Sequence, residues 1–276
     1  MTRRIVIPGL VSCGLVAAAA YAGVTLMPPA RSAAMPGGVH AVDVRLTPAP
    51  TASPSGVPRP ARATGQVTAA AGRPAVRPDL SRTRPPGSRL PSDRTCATAV
   101  RRSAWEPRPA NRAANSRTPP AGWRQRPFQG FEPAAQARIV PRVDGRFTGT
   151  TDEILQWAAC KWGFDVDTVR AQAVSESDWR MSENGDGGSS WGILQVKPSA
   201  HPGTWPWART STAYNVDYTL ARRRACYEGW SYDGPRSRGD LWGCIGMWYS
   251  GTYGSGYGRY VAEVRHWYRT RPWRSW

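Results

Sequence analysis

The chain has 276 residues, a formal net charge of +18 and 26 prolines, and these features are distributed unevenly. Residues 1–130 hold 19 arginines, no lysine, four acidic residues and 19 of the prolines, whereas residues 131–276 hold 12 of the 14 tryptophans and 18 basic against 15 acidic residues. A segment so poor in aromatic residues cannot bury enough apolar surface to offset its conformational entropy. This excludes a second large folded domain at the N-terminus, and we expect one nearly neutral domain in the C-terminal half.

The N-terminus is typical of an export signal. Arg3 and Arg4 precede an uncharged stretch, residues 5–27, which contains the small-x-small cleavage pattern Ala20-Tyr21-Ala22. Residues 1–28 are therefore predicted to be a signal peptide. The alternative is an uncleaved membrane anchor, because 23 uncharged residues can just span a bilayer. Either interpretation predicts a domain that acts outside the cytoplasm, secreted or at the cell wall.

Two segments separate this signal from the predicted main domain, residues 150–276. Residues 29–93 are predicted to be a disordered linker rich in Pro, Ala and Arg, because they show no helical or strand periodicity. Residues 94–149 are predicted to be an N-terminal extension that packs on the main domain. We expect three aromatic residues of this extension to make the contact: Trp105, Trp123 and Phe128.

The basic charge of the linker does not indicate a nucleic-acid-binding protein. Its arginines are scattered among prolines, and the sequence contains no RNA-binding, zinc-finger or basic-helix motif. Two interpretations remain open: loose association with anionic wall polymers or lipid headgroups, which salt would screen, or a solvated linker with no partner. We expect no nucleic-acid partner and a monomeric protein.

Four cysteines remain once Cys13, in the predicted signal peptide, is set aside. An even number of cysteines in an exported chain indicates disulfide bonds, with three possible connectivities. We favour Cys226–Cys244, across two neighbouring helices, and Cys96–Cys160, which would join the extension to the core. None of the cysteines has metal-type spacing and the chain has only three histidines, so we expect no metal site. We also expect no cofactor.

Helical patterns dominate the main domain. A capping box, Thr150-Thr151-Asp152-Glu153, starts one helix and Gly163 ends it. Apolar side chains then recur at steps of three and four in three later stretches: residues 211–228, 240–249 and 257–268. In the first of these stretches we expect three consecutive arginines, residues 222–224, to face water. Strand signals are scarce, so the predicted fold class is a mostly α, compact helical domain.

A single carboxylate interrupts the apolar face of the second predicted helix. Val166, Val169 and Ala173 recur at steps of three and four, and Glu176 is the next member of that stripe. A carboxylate on the buried side of a helix is costly unless it is paired or protonated. Glu176 could form an ion pair or cap the next segment. It could also be an acid whose pKa is raised by apolar surroundings, as a general acid near neutral pH requires.

The segment after this helix supplies further candidate contacts to a ligand. Residues 182–190 contain three glycines and no large side chain, which predicts a loop. In the apolar run that follows, Gln195 offers an amide that can both donate and accept hydrogen bonds. Flat tryptophan rings can stack on sugars, although most tryptophans in so small a domain must be core. Trp191 and Trp248 are nominated because they lie beside glycine loops.

These motifs resemble those of the soluble lytic transglycosylases and goose-type lysozymes. The resemblance covers roughly residues 150–270 and implies a lysozyme-like fold that cleaves peptidoglycan. Two segments are similar to the "ES … GLMQ" signature of these families, and a third occupies the place of their "AYNAG" segment. These are Ala173-Val174-Ser175-Glu176-Ser177, Gly192-Ile193-Leu194-Gln195-Val196 and Trp248-Tyr249-Ser250-Gly251.

The resemblance implies roles for individual residues. Glu176 would be the general acid and base, and Gln195 would contact the substrate. Asp186, five residues before Trp191, matches an Asp of goose-type lysozymes that is proposed to activate water. His201 matches a histidine that contacts sugar in those lysozymes.

The sequence departs from the family pattern in two places that bear on the reaction. The tyrosine of the "AYNAG" segment falls on Trp248, and Tyr249 and Ser250 replace the next two residues, so the tyrosine that contacts the catalytic Glu in these families is missing from its usual position. We still expect Trp248 and Tyr249 to contact substrate. Lys197 stands where the lysozymes have a second Asp, which leaves Asp186 as the candidate for activating water.

The resemblance therefore implies a lytic transglycosylase that cleaves the β-1,4 bond between N-acetylmuramic acid and N-acetylglucosamine. One carboxylate suffices in substrate-assisted glycosidases, because the N-acetyl oxygen can attack the anomeric carbon. Glu176 would protonate the leaving oxygen and then take a proton from the 6-hydroxyl of the sugar, giving a 1,6-anhydro end. The alternatives are a goose-type hydrolase that uses Asp186 and a catalytically inactive wall-binding module.

Overall fold

A computed structural model describes residues 78–231 and 233–276, which form a mostly helical domain. The predicted signal peptide and the linker up to residue 77 lie outside the described residues. Nowhere in the described ranges does a helix have the length and apolar character needed to cross a membrane.

The helices of the described residues are α1 (Asp93–Ala99), α2 (Arg112–Asn115), α3 (Pro133–Arg138), α4 (Thr151–Trp162), α5 (Val166–Ser177), α6 (Trp207–Thr210), α7 (Thr212–Tyr227), α8 (Leu241–Ser250) and α9 (Gly258–Thr270). Two short antiparallel strands, β1 (Asn184–Gly185) and β2 (Ser190–Trp191), form a hairpin between α5 and α6. Single 3₁₀ turns occupy Pro109–Asn111, Val140–Arg142, Gly234–Ser237 and Pro272–Ser275. The predicted mostly α fold class is confirmed.

Local sequence signals fix the ends of the two helices that lead to the site. Thr150 and Glu153 form the predicted capping box at the start of α4, and Gly163 ends the helix in the left-handed conformation that glycine adopts without strain. Asp165 caps α5 by accepting a hydrogen bond from the backbone of Asp167. Helix α5 therefore begins at Val166, the residue after this cap.

Five longer helices surround a single apolar core. Helix α5 packs on α9, α4 packs on α7, and α8 lies against both α7 and α9. The largest aromatic side chains inside this core include Trp157, Trp162, Trp179 and Tyr214. The extension covers this core with aromatic contacts of its own: Trp105 packs on Trp179, Trp123 on Tyr214 and Phe128 on Tyr218.

A buried ion cluster joins the extension to the core. The ammonium group of Lys161, which is fully buried, lies 2.9–3.0 Å from carboxylate oxygens of Asp93, Asp144 and Asp217. Asp217 also accepts a 2.7 Å hydrogen bond from the indole of Trp162. A buried cation needs this many acceptors because it has lost its water shell.

Two sequence-based expectations about α7 and the linker are wrong. Residues 222–224 were expected to face water, but Arg223 and Arg224 are only 2% and 0% exposed, because α7 is covered by neighbouring elements on nearly all sides.

The predicted linker, 29–93, also extends too far, since residues 80–87 contact the domain. The amide of Arg84 donates to the carbonyl of Gly163, and the carbonyl of Leu80 accepts from Val166. These contacts use backbone atoms, so the pattern of side chains in the sequence could not predict them.

Both favoured disulfide bonds are confirmed. Cys96–Cys160 joins α1 to α4, and Cys226–Cys244 joins α7 to α8. Disulfide bonds persist in oxidising compartments, so these two are compatible with a domain that acts outside the cytoplasm.

Removing either disulfide should destabilise the domain. We expect the Cys96→Ala/Cys160→Ala and Cys226→Ala/Cys244→Ala variants each to lose about 2–4 kcal/mol of unfolding free energy, because the unfolded chain regains loop entropy. The first pair closes the longer loop, 64 residues against 18, and should cost at least as much. Urea unfolding followed by circular dichroism measures both. An unchanged urea midpoint in either variant would contradict the expectation.

Candidate functional site

Six of the seven predicted site residues line one open cleft of about 460 Å³. They come from α5, the hairpin, the loop that follows it and α8: Glu176, Asp186, Gln195, His201, Trp248 and Tyr249. Helix α7 adds Arg222 and Arg223 to the lining. Segments that lie far apart in the sequence are thus brought to one concave surface, which is the usual form of a ligand site.

Trp191 is the predicted residue that does not line this cleft. Successive side chains of a strand point to opposite faces, so Ser190 faces the cleft and Trp191 faces away from it. The Trp191 ring packs edge-on against Trp205 at 6.0 Å and lies under the guanidinium of Arg209 at 4.5 Å. The structure therefore gives no support to Trp191 as a substrate contact in this cleft.

Glu176 lies in the last turn of α5, partly buried at the cleft. Its Oε1 accepts a hydrogen bond from the hydroxyl of Tyr260 on α9, and that hydroxyl accepts one from Gln172 at 2.9 Å. Burial raises the pKa of Glu176 to about 7, while the Tyr260 hydrogen bond and the charge of Arg223 oppose the rise. The side chain can therefore exist in both protonation states near neutral pH.

Tyr260 is a site residue that the sequence analysis did not identify. It is buried on α9, and the ring of Tyr249 stacks on it with centroids 4.7 Å apart. The sequence held one signal, because a tyrosine on a core-facing helix stripe needs a hydrogen-bond partner for its hydroxyl. That partner, Glu176, is 84 residues away, and only the packing of α5 on α9 brings the two together.

One turn, residues 191–196, is held by three helices at once. The hydroxyl of Ser177 on α5 donates to the carbonyl of Ile193, and the indole of Trp248 on α8 donates to that of Leu194. The side chain of Asn215 on α7 accepts from the amide of Leu194 and donates to the carbonyl of Trp191. This clamp fixes the position of Gln195 and Trp248 relative to the helix that carries Glu176.

Glycine is required at one position of this turn. Gly192 has φ +81°, and a Cβ there would lie 2.5 Å from the Asn215 side chain. The backbone can approach Asn215 closely because no side chain intervenes.

Gln195 lines the cleft with an amide that is already engaged. Its Nε2 donates to the carbonyl of Gly192 at 2.7 Å, and its Oε1 accepts from the amide of Gly185 at 2.9 Å. Gln195 therefore joins the turn to the hairpin. Its contact with a ligand remains a prediction.

Asp186 lies on the exposed side of the same cleft. Its carboxylate accepts a 2.8 Å hydrogen bond from Ser190 and lies 3.4 Å from the ammonium of Lys197. The Ser190 hydrogen bond and the charge of Lys197 hold the pKa of Asp186 below its usual value. With 60% of its side chain exposed, Asp186 is a solvated, ionised carboxylate.

His201 and Trp248 form a stacked pair on the cleft wall. Their rings are nearly parallel, 5° apart, with centroids separated by 5.0 Å. Burial lowers the pKa of His201 to about 3, so the imidazole is neutral at physiological pH. In the described ranges, no cluster of three or more His, Cys, Asp or Glu side chains is arranged to hold a metal ion.

Comparisons with protein-family models, with curated proteins and with solved structures found no match for this chain. A functional interpretation therefore depends on the cleft and on the motifs that build it.

The raised pKa of Glu176 has a measurable consequence for stability. The native state keeps its proton up to about pH 7, whereas the unfolded carboxyl releases it near 4.5, so wild-type stability should fall as pH rises through this window. Glu176→Gln cannot ionise. Its unfolding free energy should match that of wild type at pH 4 and exceed it by about 1–3 kcal/mol at pH 8. This range is smaller than the full pKa shift implies, because solvent reaches the side chain from the cleft.

Urea unfolding at the two pH values measures this difference. Glu132→Gln is the matched control, because Glu132 is exposed and its side chain makes no capping hydrogen bond. A Glu176→Gln effect that is equal at pH 4 and pH 8 would show that Glu176 ionises normally in the folded protein.

Proposed function

We propose that this domain is a peptidoglycan-cleaving lytic transglycosylase of the lysozyme-like type, with Glu176 as its general acid and base. The observation that carries the proposal is one carboxyl group with a pKa of about 7, held by Tyr260 at an open cleft. A group of this kind can donate a proton and later accept one at neutral pH. The "ES … GLMQ" resemblance, with Glu176 and Gln195 in the same cleft, supplies the substrate class.

In the proposed reaction the protonated Glu176 donates its proton to the glycosidic oxygen as the bond between that oxygen and C1 breaks. The N-acetyl oxygen of the same sugar forms a bond to C1 and stabilises the developing positive charge. Glu176, now a carboxylate, removes the proton of the 6-hydroxyl. O6 then attacks C1 and displaces the N-acetyl oxygen, which leaves a 1,6-anhydromuramyl end and a protonated Glu176.

Tyr260 compensates for the altered "AYN" segment. In the related families a tyrosine of that segment contacts the catalytic Glu, and here the position holds Trp248. Tyr260 donates to Oε1 of Glu176 from a different helix. In the proposed reaction Oε2 is the oxygen that exchanges the proton with substrate. This contact favours an active enzyme over an inactive wall-binding module.

The geometry around Asp186 favours transglycosylation over hydrolysis. A general base is effective when its pKa lies near the working pH. Asp186 is exposed and paired with Lys197, and its pKa is lower than that of an ordinary Asp. Intramolecular attack needs no captured water, because the 6-hydroxyl is already held near the reacting carbon. A goose-type hydrolase remains the second candidate, since Asp186 does line the same cleft.

Glu176→Gln should abolish lysis of purified peptidoglycan while the protein stays folded. General acid–base groups contribute on the order of 10²–10⁴-fold to rate, so we expect a loss of at least 100-fold. The assay measures released muropeptides, with circular dichroism as the folding check and Glu132→Gln as the control that keeps full activity. Turnover above about a tenth of wild type in Glu176→Gln would remove Glu176 from the mechanism.

The products should be mainly 1,6-anhydromuramyl ends. Mass spectrometry of muropeptides before and after borohydride treatment identifies them, because borohydride reduces the free ends left by hydrolysis and spares anhydro ends. Asp186→Asn should leave their yield nearly unchanged. Mostly reducible ends, together with a collapse of activity in Asp186→Asn, would instead establish the goose-type hydrolase.

A further inference from the structure

Gln172 is a buried amide with only one of its two ends bound. It lies on α5, one turn before Glu176, and is 0% exposed. Its Nε2 donates a 2.9 Å hydrogen bond to the hydroxyl of Tyr260. Within the described part of the chain, no atom donates a hydrogen bond to its Oε1. A buried carbonyl oxygen without a donor costs free energy, so Gln172 is poorly satisfied as a structural residue.

A second buried glutamine of the domain gives the contrast. Gln156 on α4 is 5% exposed, and both ends of its side chain are bound. Its Oε1 accepts from the backbone amide of Arg101 at 2.9 Å, and its Nε2 donates to Asp152 at 2.8 Å. Gln156 thus joins α4 to the extension. The one hydrogen bond of Gln172 leads instead to the tyrosine that binds Glu176.

The hydrogen bonds between Gln172, Tyr260 and Glu176 run in one direction. A tyrosine hydroxyl has a single hydrogen to donate. Because the amide N–H of Gln172 points at the hydroxyl oxygen, that hydrogen needs an acceptor elsewhere, and Oε1 of Glu176 supplies it. If Glu176 carried its proton on Oε1 and donated to Tyr260, the hydroxyl hydrogen would lose the one acceptor that the described residues give it. In the neutral acid the proton therefore belongs on Oε2.

We propose that Gln172 is a positioning residue, which holds the Tyr260 hydroxyl as a donor to Oε1 of Glu176 and so keeps the transferable proton of this acid on Oε2. Gln172 does not line the cleft, so it acts on the reaction through Tyr260 and Glu176. The position of the proton matters because a general acid must hold it within hydrogen-bond reach of the leaving oxygen. The inference rests on the proposed function for this proton transfer.

The charged groups around Glu176 stay the same when Gln172 is replaced. Burial raises the pKa of Glu176 to about 7, and the side chains of Tyr260 and Gln172 oppose this rise. Arg223 on α7 also lowers the pKa, and Glu263 on α9 raises it. The other charged or titratable side chains of the cleft are Asp186, Lys197, His201, Arg222 and Tyr249. A changed titration of Glu176 in a Gln172 variant therefore reports the loss of the amide.

Infrared spectroscopy measures both the hydrogen bond and the titration of Glu176 without substrate. Subtracting the spectrum of the same protein with Glu176→Gln isolates the C=O stretch of the protonated carboxyl, and the loss of this band with rising pH gives the pKa. In Gln172→Met we expect the band at higher wavenumber, because the C=O group accepts a weaker hydrogen bond, and a pKa higher by about 0.5–1. A band and a pKa that both equal those of wild type would overturn the inference.

The kinetics of the same variant test the effect on the reaction. Gln172→Met should lower kcat on peptidoglycan roughly 5- to 20-fold, as the loss of one buried hydrogen bond implies, and should leave KM within about twofold. The fall of kcat/KM at alkaline pH should occur at higher pH than in wild type, since the free enzyme must hold its proton to begin the reaction. A raised KM with unchanged kcat and pH profile would contradict a positioning role.

Two further variants separate positioning from a structural role. Gln156→Met removes both hydrogen bonds of a buried amide and should lower the melting temperature, yet leave the Glu176 band and kcat unchanged. In a Tyr260→Phe background, Gln172→Met should change kcat by less than about a further twofold, because Gln172 acts through the hydroxyl. An equal band shift in Gln156→Met, or a full effect of Gln172→Met without the hydroxyl, would refute the role of Gln172.

Circular dichroism checks the fold of each variant. Gln172→Met should fold, because an apolar side chain of similar shape replaces an amide that is only half satisfied. If it does not fold, Gln172→Asn takes its place, since the shorter side chain keeps the amide but withdraws it from Tyr260. The same shifts in the band, the pKa and kcat are then expected, and their absence would count equally against the inference.

Failure of this inference can be told apart from failure of the proposed function. A wild-type protein that cleaves peptidoglycan, but whose Glu176 band does not respond to Gln172→Met, would refute only the role of Gln172. A protein that cleaves nothing, while the band responds, would refute the enzyme and support the hydrogen-bond arrangement. Neither cleavage nor a response of the band would overturn both.

Discussion

The cleft depends on the clamp that holds residues 191–196. Ser177, Asn215 and Trp248 come from three helices, and each binds a backbone group of this one turn. The backbone polar groups of a buried turn need partners, and here the partners also set the distance between α5, α7 and α8. Glu176 immediately precedes Ser177, so the hydrogen bond of Ser177 fixes the end of the helix on which the carboxyl group sits.

The same region concentrates groups that oppose folding. Glu176 loses hydration as it is packed against α9, and Arg223 lies beside it without a protein acceptor. The buried ammonium of Lys161, by contrast, has three carboxylate partners. The disulfide between Cys226 and Cys244 joins α7 to α8, the two helices that carry Arg223 and Trp248. Stabilisation therefore lies close to the groups that reduce stability, as is common where a surface is shaped for binding.

Much of the fold could be predicted because its signals are local. Capping residues and apolar periodicity located α4, α5, α7, α8 and α9. The even number of cysteines in a chain with an export signal indicated disulfide bonds, and the favoured one of three connectivities is the one observed. Glu176 was identified because it interrupts an apolar stripe. The contact between Tyr260 and Glu176 could not be predicted, since it depends on how α5 packs on α9. The burial of Arg223 and Arg224 was missed because amphipathic periodicity assumes that one face of a helix meets water, and α7 has almost no such face.

The segment of residues 80–87 gives the domain a defined point of mechanical attachment. Its backbone binds Gly163 and Val166 at the junction of α4 and α5, and its carbonyls bind Arg224 on α7. Tension transmitted along the chain from residues before Pro78 would enter the domain here. It would be shared between the start of α5 and helix α7, rather than reaching one helix alone.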